Sequence, residues 1–183
     1  MKPVLDLPHD YDIALNVDLP AGTNGRLFEF NPGNGVPVRT RCLVEVHPEA
    51  ANGWTGRFVG DYDEPPAISV VVSSPDPRRV CVVCSGRGYL VDIDQPQQFG
   101  LVECFPICSV RPIAPLDLIV FGNFTDLVAY ARGGLLWKTP GLVSDELNIV
   151  DLDGELLTVD GLNTATGQTV RVAVDVRTGQ LKV

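Results

Sequence analysis

The sequence predicts an all-β protein built from antiparallel four-stranded meander sheets. Three observations carry this expectation. Val, Leu, Ile and Thr are abundant while Met occurs once, which suits strands better than helices. Eighteen Gly and fifteen Pro supply many turns. From residue 67 onward, apolar segments of strand length recur between turn signals, such as AspGly at 153–154. The sheets are expected to be propeller-like or to form an incomplete propeller, with a β-sandwich or barrel as the alternative.

The 183 residues fit a single domain, and a chain of this size buries roughly 70% of its unfolded surface. A hydrophobic share of 45% and a charged share of 20% are those of a globular protein. The formal net charge of −9 sets a field that repels phosphate backbones and anionic lipid. Nucleic acid and membrane surfaces are therefore not expected partners. The first residues, MKPVLDLPHDYDIAL, place acids and prolines where a signal peptide needs an apolar run. Five cysteines cannot all pair within one chain, and the simpler expectation is a reducing cytoplasm.

Residues 1–40 read as short strands and loops. Apolar pieces lie at 13–17 and 26–30, and turn clusters lie at 21–25 and 31–35. Two further strands are expected at Arg41–Val46 and Trp54–Val59. In CLVEVH, Leu43 and Glu45 share one face and Val44 and Val46 the other, as in a sheet with one wetter side. The acidic, proline-ended run DYDEPP at 61–66 is the candidate internal boundary, separating residues 1–62 from about three blade-like repeats over 67–183.

Within those repeats AISVVVSS (67–74), RVCVVCS (79–85), YLVDID (89–94) and LVECF (101–105) make the first group of strands. DLIVFG, LVAYA and LLWKT make the second. ELNIVD, ELLTVD, TVRVAVDV and the terminal LKV make the third. LeuValAsp at 90–92 aligns with ValAlaTyr at 128–130 and AlaValAsp at 173–175, giving offsets of 38 and 45 residues that bracket the spacing of propeller blades. AspGly at 153–154 is expected to turn a type I′ hairpin that pairs Leu152 with Glu155 and Val150 with Leu157. In the following strand Val170, Val172, Val174 and Val176 share one face.

The segment FTDLVAYARGGLLWKTPGLVSDELNIVDLDG, with VAVDVRTG after it, resembles a group of uncharacterised bacterial proteins that share such a pattern near their C-termini. GGLLWK and DVRTGQL are also similar to blades of quinoprotein-type propellers, in which a Gly-x-x-Trp strand and an Asp-x-x-Thr-Gly turn recur. The resemblance covers about the last third of the chain. It implies turns and blade packing and brings no catalytic function, because the chain is too short for the ring that holds a quinone cofactor.

No catalytic residue and no cofactor is assigned from the sequence. Cys81-x2-Cys84 followed by Cys104-x3-Cys108 approaches the spacing of a four-thiolate zinc site. Val82 and Val83 oppose it, since an extended strand sends Cys81 and Cys84 to opposite faces. Reduced core cysteines are the favoured reading. His9 and His47 have no partner visible in the sequence. Asp61, Asp63 and Glu64 read as a solvated loop, and Asp151, Asp153 and Glu155 as hairpin residues rather than a calcium loop.

Phe124, Tyr130 and Trp137 are the candidate partner-binding residues. Phe124–Ala131 fits either a strand or a short helix capped by Asn123 or Thr125. Two functions follow. The first is a non-enzymatic interaction or scaffold domain that meets another protein, or a second copy of itself, through sheet edges. The second is a small metal-dependent or cysteine-using hydrolase.

Overall fold

The structure is a computed structural model and describes residues 1, 3–15, 26–31, 33, 40–62 and 64–182. In chain order the strands are β1 (Pro3–Val4), β2 (Tyr11–Ala14), β3 (Arg26–Phe30), β4 (Thr40–Pro48), β5 (Trp54–Gly60), β6 (Val70–Ser73), β7 (Arg79–Cys84), β8 (Arg87–Asp92) and β9 (Phe99–Leu101). They continue with β10 (Ser109–Ile113), β11 (Leu118–Gly122), β12 (Leu127–Ala131), β13 (Gly134–Thr139), β14 (Asp145–Asp153), β15 (Leu156–Asn163), β16 (Gln168–Asp175) and β17 (Leu181–Lys182). The only helical piece among the described residues is a single 3-10 turn at Ala114–Leu116.

These strands form four sheets. In order across each, they are β2-β4-β5-β3, β1-β6-β7-β8-β9, β10-β11-β12-β13 and β14-β15-β16-β17. The last two are plain antiparallel meanders, because each strand meets the next through a short turn. The first two borrow a parallel edge strand each: β3 lies along β5, and β1 along β6. The N-terminal strand thus belongs to the second sheet, so residues 1–62 and 67–183 share a sheet across the 61–66 loop. The strands form four separate sheets, and no closed barrel is found among the described residues.

The sheets stack face to face with an apolar core at each of three junctions. Side-chain alternation along β7 shows how the sequence specifies this. Val80, Val82 and Cys84 point into the core against the first sheet, beside Phe30, Phe58 and Trp54. Cys81 and Val83 point the other way, into the core with Ile119, Phe121, Val128 and Tyr130 of the third sheet. The third core joins Val120, Leu127, Ala129 and Trp137 to Leu157, Val159, Val174 and Val176. Each fully buried Val, Leu or Phe adds roughly 1.5–3 kcal/mol, so the middle sheets, apolar on both faces, bind the stack together. The two end faces carry ion pairs beside exposed apolar residues such as Leu27 and Leu156. Arg57 pairs with Glu29 on the first sheet, and Arg171 with Asp160 on the last.

A repeat runs through the stack. The Trp54 indole donates to the Ile93 carbonyl, and the Trp137 indole to the Val176 carbonyl, each at 2.8 Å and across 39 residues. The two contacts are 83 residues apart (137 − 54 and 176 − 93). Cross-strand pairs follow the same offset: Val46 with Trp54 and Val44 with Gly56 correspond to Ala129 with Trp137 and Leu127 with Thr139. The carboxylates of Asp92 and Asp175, at matching places, each accept two backbone N–H bonds in the turn that follows. The aligned triplets at 90–92, 128–130 and 173–175 fall on β8, β12 and β16, the third of four successive meander strands in each sheet.

Several local expectations are corrected. The hairpin after β14 closes on Asp153 opposite Leu156, with Gly154–Glu155 as its central pair, and Leu152 faces Leu157. A register shift between Ile149 and Asp151 then leaves Val150 exposed, while Leu147, Ile149 and Leu152 all turn to the core. The strand expected at 101–105 is replaced by the shorter β9 at Phe99–Leu101, which shares only Leu101 with it. Both β1 and β10 lie where no strand was expected, β10 because Pro112 disguises an edge strand. Phe124 lies in a turn closed by Asn123 and Asp126, and β12 follows, so the helical alternative is not found. Of the two N-terminal turn clusters, residues 21–25, 32, 34 and 35 lie outside the described residues.

Candidate binding site

The cysteines occupy different environments. Cys84 lies in the first core and is joined to Cys42 of β4, with Cα atoms 5.9 Å apart. This corrects the expectation that Cys84 is a reduced core thiol. Cys81, on the opposite face of β7, lies in the second core with Cys104. Burial pushes the Cys104 thiol up to about 12. Cys108 is half-buried, and its thiol is raised first by burial and then by the charge of Asp145. Such thiols are poor nucleophiles at neutral pH. The four-thiolate zinc arrangement does not form, because Cys81 and Cys84 face different cores. Among the described residues no group of three His, Cys, Asp or Glu side chains is placed to hold a metal ion.

The other titratable candidates are held by local partners. His9 contacts the Leu7 carbonyl through Nδ1 at 2.8 Å, and His47 lies 3.6 Å from Glu45. Neither imidazole bonds to a serine or cysteine among the described residues, as a nucleophile's base would. Asp61 is not a solvated loop residue. It accepts two bonds from Arg87, the shorter 2.6 Å, and the guanidinium lies 3.7 Å from the centre of the Phe105 ring. Asp63 lies outside the described residues. Asp151 and Asp153 project outward from β14.

The three aromatic candidates separate. Trp137 is buried and donates to Val176. Tyr130 is buried, its hydroxyl accepting from the Glu103 N–H at 2.8 Å. Both are held by the cores. Phe124 alone reaches a cavity, and its ring meets Tyr62 edge-on at 6.1 Å, as Tyr62 in turn meets Phe105.

That cavity, of about 560 Å³, opens where the turn after β11 and the start of β14 face the Pro65–Pro66 loop. Phe124, Leu147 and the two prolines give it an apolar wall, and Asp145, Glu146, Asn148, Cys108 and Ser109 a polar one. Glu146 has φ +54°, and β14 shifts register between Asp145, which pairs with Leu162, and Asn148, so Glu146 falls outside the regular ladder. The Ser109 hydroxyl is buried without a hydrogen-bond partner among the described residues. Sequence reading singled out Phe124 and Cys108 here and missed the rest. The lining converges from four segments that are apart in the chain, 65–66, 108–109, 124 and 145–148, and no local pattern marks that convergence.

A second surface feature is the row of last strands. Large apolar side chains are exposed on β9 (Phe99, Leu101), β13 (Leu135, Leu136) and β17 (Leu181), each an edge of its sheet. No helix among the described residues is long and apolar enough to cross a membrane. No family model and no curated protein sequence matches this chain.

Proposed function

We propose that the chain is a non-enzymatic interaction or scaffold domain that meets another protein, or a second copy of itself, through the open edges of its sheets. The observation that carries this reading is the exposure of Phe99, Leu101, Leu135, Leu136 and Leu181 on edge strands. An edge strand offers unpaired N–H and C=O groups, and proteins that leave such an edge free usually set charge or Pro on it. Here apolar side chains stand beside Lys138 on β13 and Lys182 on β17, and the apolar ones suit strand addition by a partner. The hydrolase alternative draws no support from thiols that lie in separate environments. A cytoplasmic location belongs to the same reading, and the Cys42–Cys84 bridge stands against it, because such bridges are rare in a reducing compartment: alkylation at the moment of cell lysis decides, free thiols supporting a reducing compartment and a bridged pair an oxidising one.

Affinity capture and sedimentation velocity test the edge reading. The tagged full chain should self-associate or retain a stable partner, and Leu135→Glu with Leu136→Glu should abolish this while leaving the melting temperature within a few degrees. A strictly monomeric chain that retains no partner would overturn it.

A further inference from the structure

The cavity beside Phe124 lies apart from the edge strands and carries its own chemistry. Among the described residues its lining holds two carboxylates, Asp145 and Glu146, and no Lys or Arg. Neither carboxylate has a cationic partner within 4 Å among the described residues, whereas Glu155, Asp160 and Asp175 further along the chain are each paired. An anionic ligand would meet only repulsion here. A metal ion fits no better, because Cys108, Asp145 and Glu146 do not converge on one point. What remains is an organic cation.

We propose that this cavity binds a ligand carrying an ammonium or guanidinium group on an apolar stem, the stem against Phe124, Pro65, Pro66 and Leu147 and the cation at Asp145 and Glu146. The volume of about 560 Å³ suits such a molecule. A cation close to Phe124 gains from the ring face as well as from the carboxylates. The net charge of −9 raises the concentration of cations near the surface and speeds their arrival. The group can come from a free amine or from a Lys or Arg side chain of a peptide, and the chemistry of the cavity is the same for both.

NMR titration of the full chain at low salt separates these sources. The probes are 4-phenylbutylamine and a blocked tetrapeptide with a central Arg, against 4-phenylbutanol and the same peptide with citrulline. At least one cationic probe should shift the amide resonances of Phe124, Leu147 and Asn148, and its neutral counterpart should bind at least about tenfold more weakly. Asp145→Asn with Glu146→Gln should reduce the affinity by a similar factor, with the melting temperature unchanged as the check on folding. Asn at 145 can still accept the Glu146 N–H bond that Asp145 accepts at 2.8 Å. Binding of the amine alone points to a small molecule, and binding of the peptide alone to a protein side chain. The proposal is overturned if neither cation binds, if the neutral probes bind as tightly, or if the double variant keeps full affinity. None of these outcomes touches the strand edges.

Discussion

Trp54 and Trp137 each hold a buried indole N–H on a carbonyl of the next sheet, so both act as pins between layers. Replacing either with Phe keeps most of the apolar area and leaves a buried carbonyl without its donor. Each Trp→Phe variant should therefore lose about 1–3 kcal/mol in denaturant melts, and the two losses should be similar. Asp126 offers a pH test. Burial pushes its carboxyl up, but the Gly141 N–H at 2.9 Å, the Thr125 hydroxyl at 2.8 Å, the Asn123 amide and the Lys138 charge outweigh burial and hold it below the usual 3.8. A depressed folded value means that its stabilisation is present above the unfolded value and fades as pH falls through the folded one. The stability difference between the native chain and Asp126→Asn should thus shrink as pH is lowered from 5 toward 2, and a constant difference in urea melts across that range would contradict it. The sequence marked Trp137 as a candidate partner-binding residue, whereas its indole is held by a carbonyl 39 residues away, a pairing that leaves no local mark.

Strands were legible where alternation is strong and turns are explicit. Val80 to Cys84 and Val170 to Val176 revealed their faces directly, since period-2 patterning is a local property. The hairpin after β14 was legible as a hairpin and misplaced by one residue. Asp153–Gly154 matches the common turn pair, but bulging between Ile149 and Asp151 lets the core select the register in which Leu157 faces Leu152. Gly154 then occupies the first central position at φ +58°. Gly154→Val should cost about 1–2 kcal/mol, whereas Asp153→Asn should change stability by under about 0.5 kcal/mol. Equal effects from the two substitutions would argue for the other register.

At the level of the whole molecule, the repeating strand pattern was readable and the stacking order was not. The offsets between 90, 128 and 173 already contained the 83-residue repeat that the paired tryptophans make physical. The parallel placement of β1 and β3 was hidden, because pairing across long connections leaves no local mark. The cavity was hidden for the same reason, and within it only Phe124 and Cys108 carried a signal of their own. The central functional claim is that the outer edges of β9, β13 and β17 stand open in the isolated chain and close when a partner docks. Amide hydrogen exchange on the monomeric chain, resolved by residue, tests it most directly. Amides paired within β7, β11 and β15 should exchange slowly, and outward-facing amides of β9, β13 and β17 should exchange orders of magnitude faster. Edge amides as protected as the interior ones in the monomer would mean that the edges are already covered, and would contradict the account.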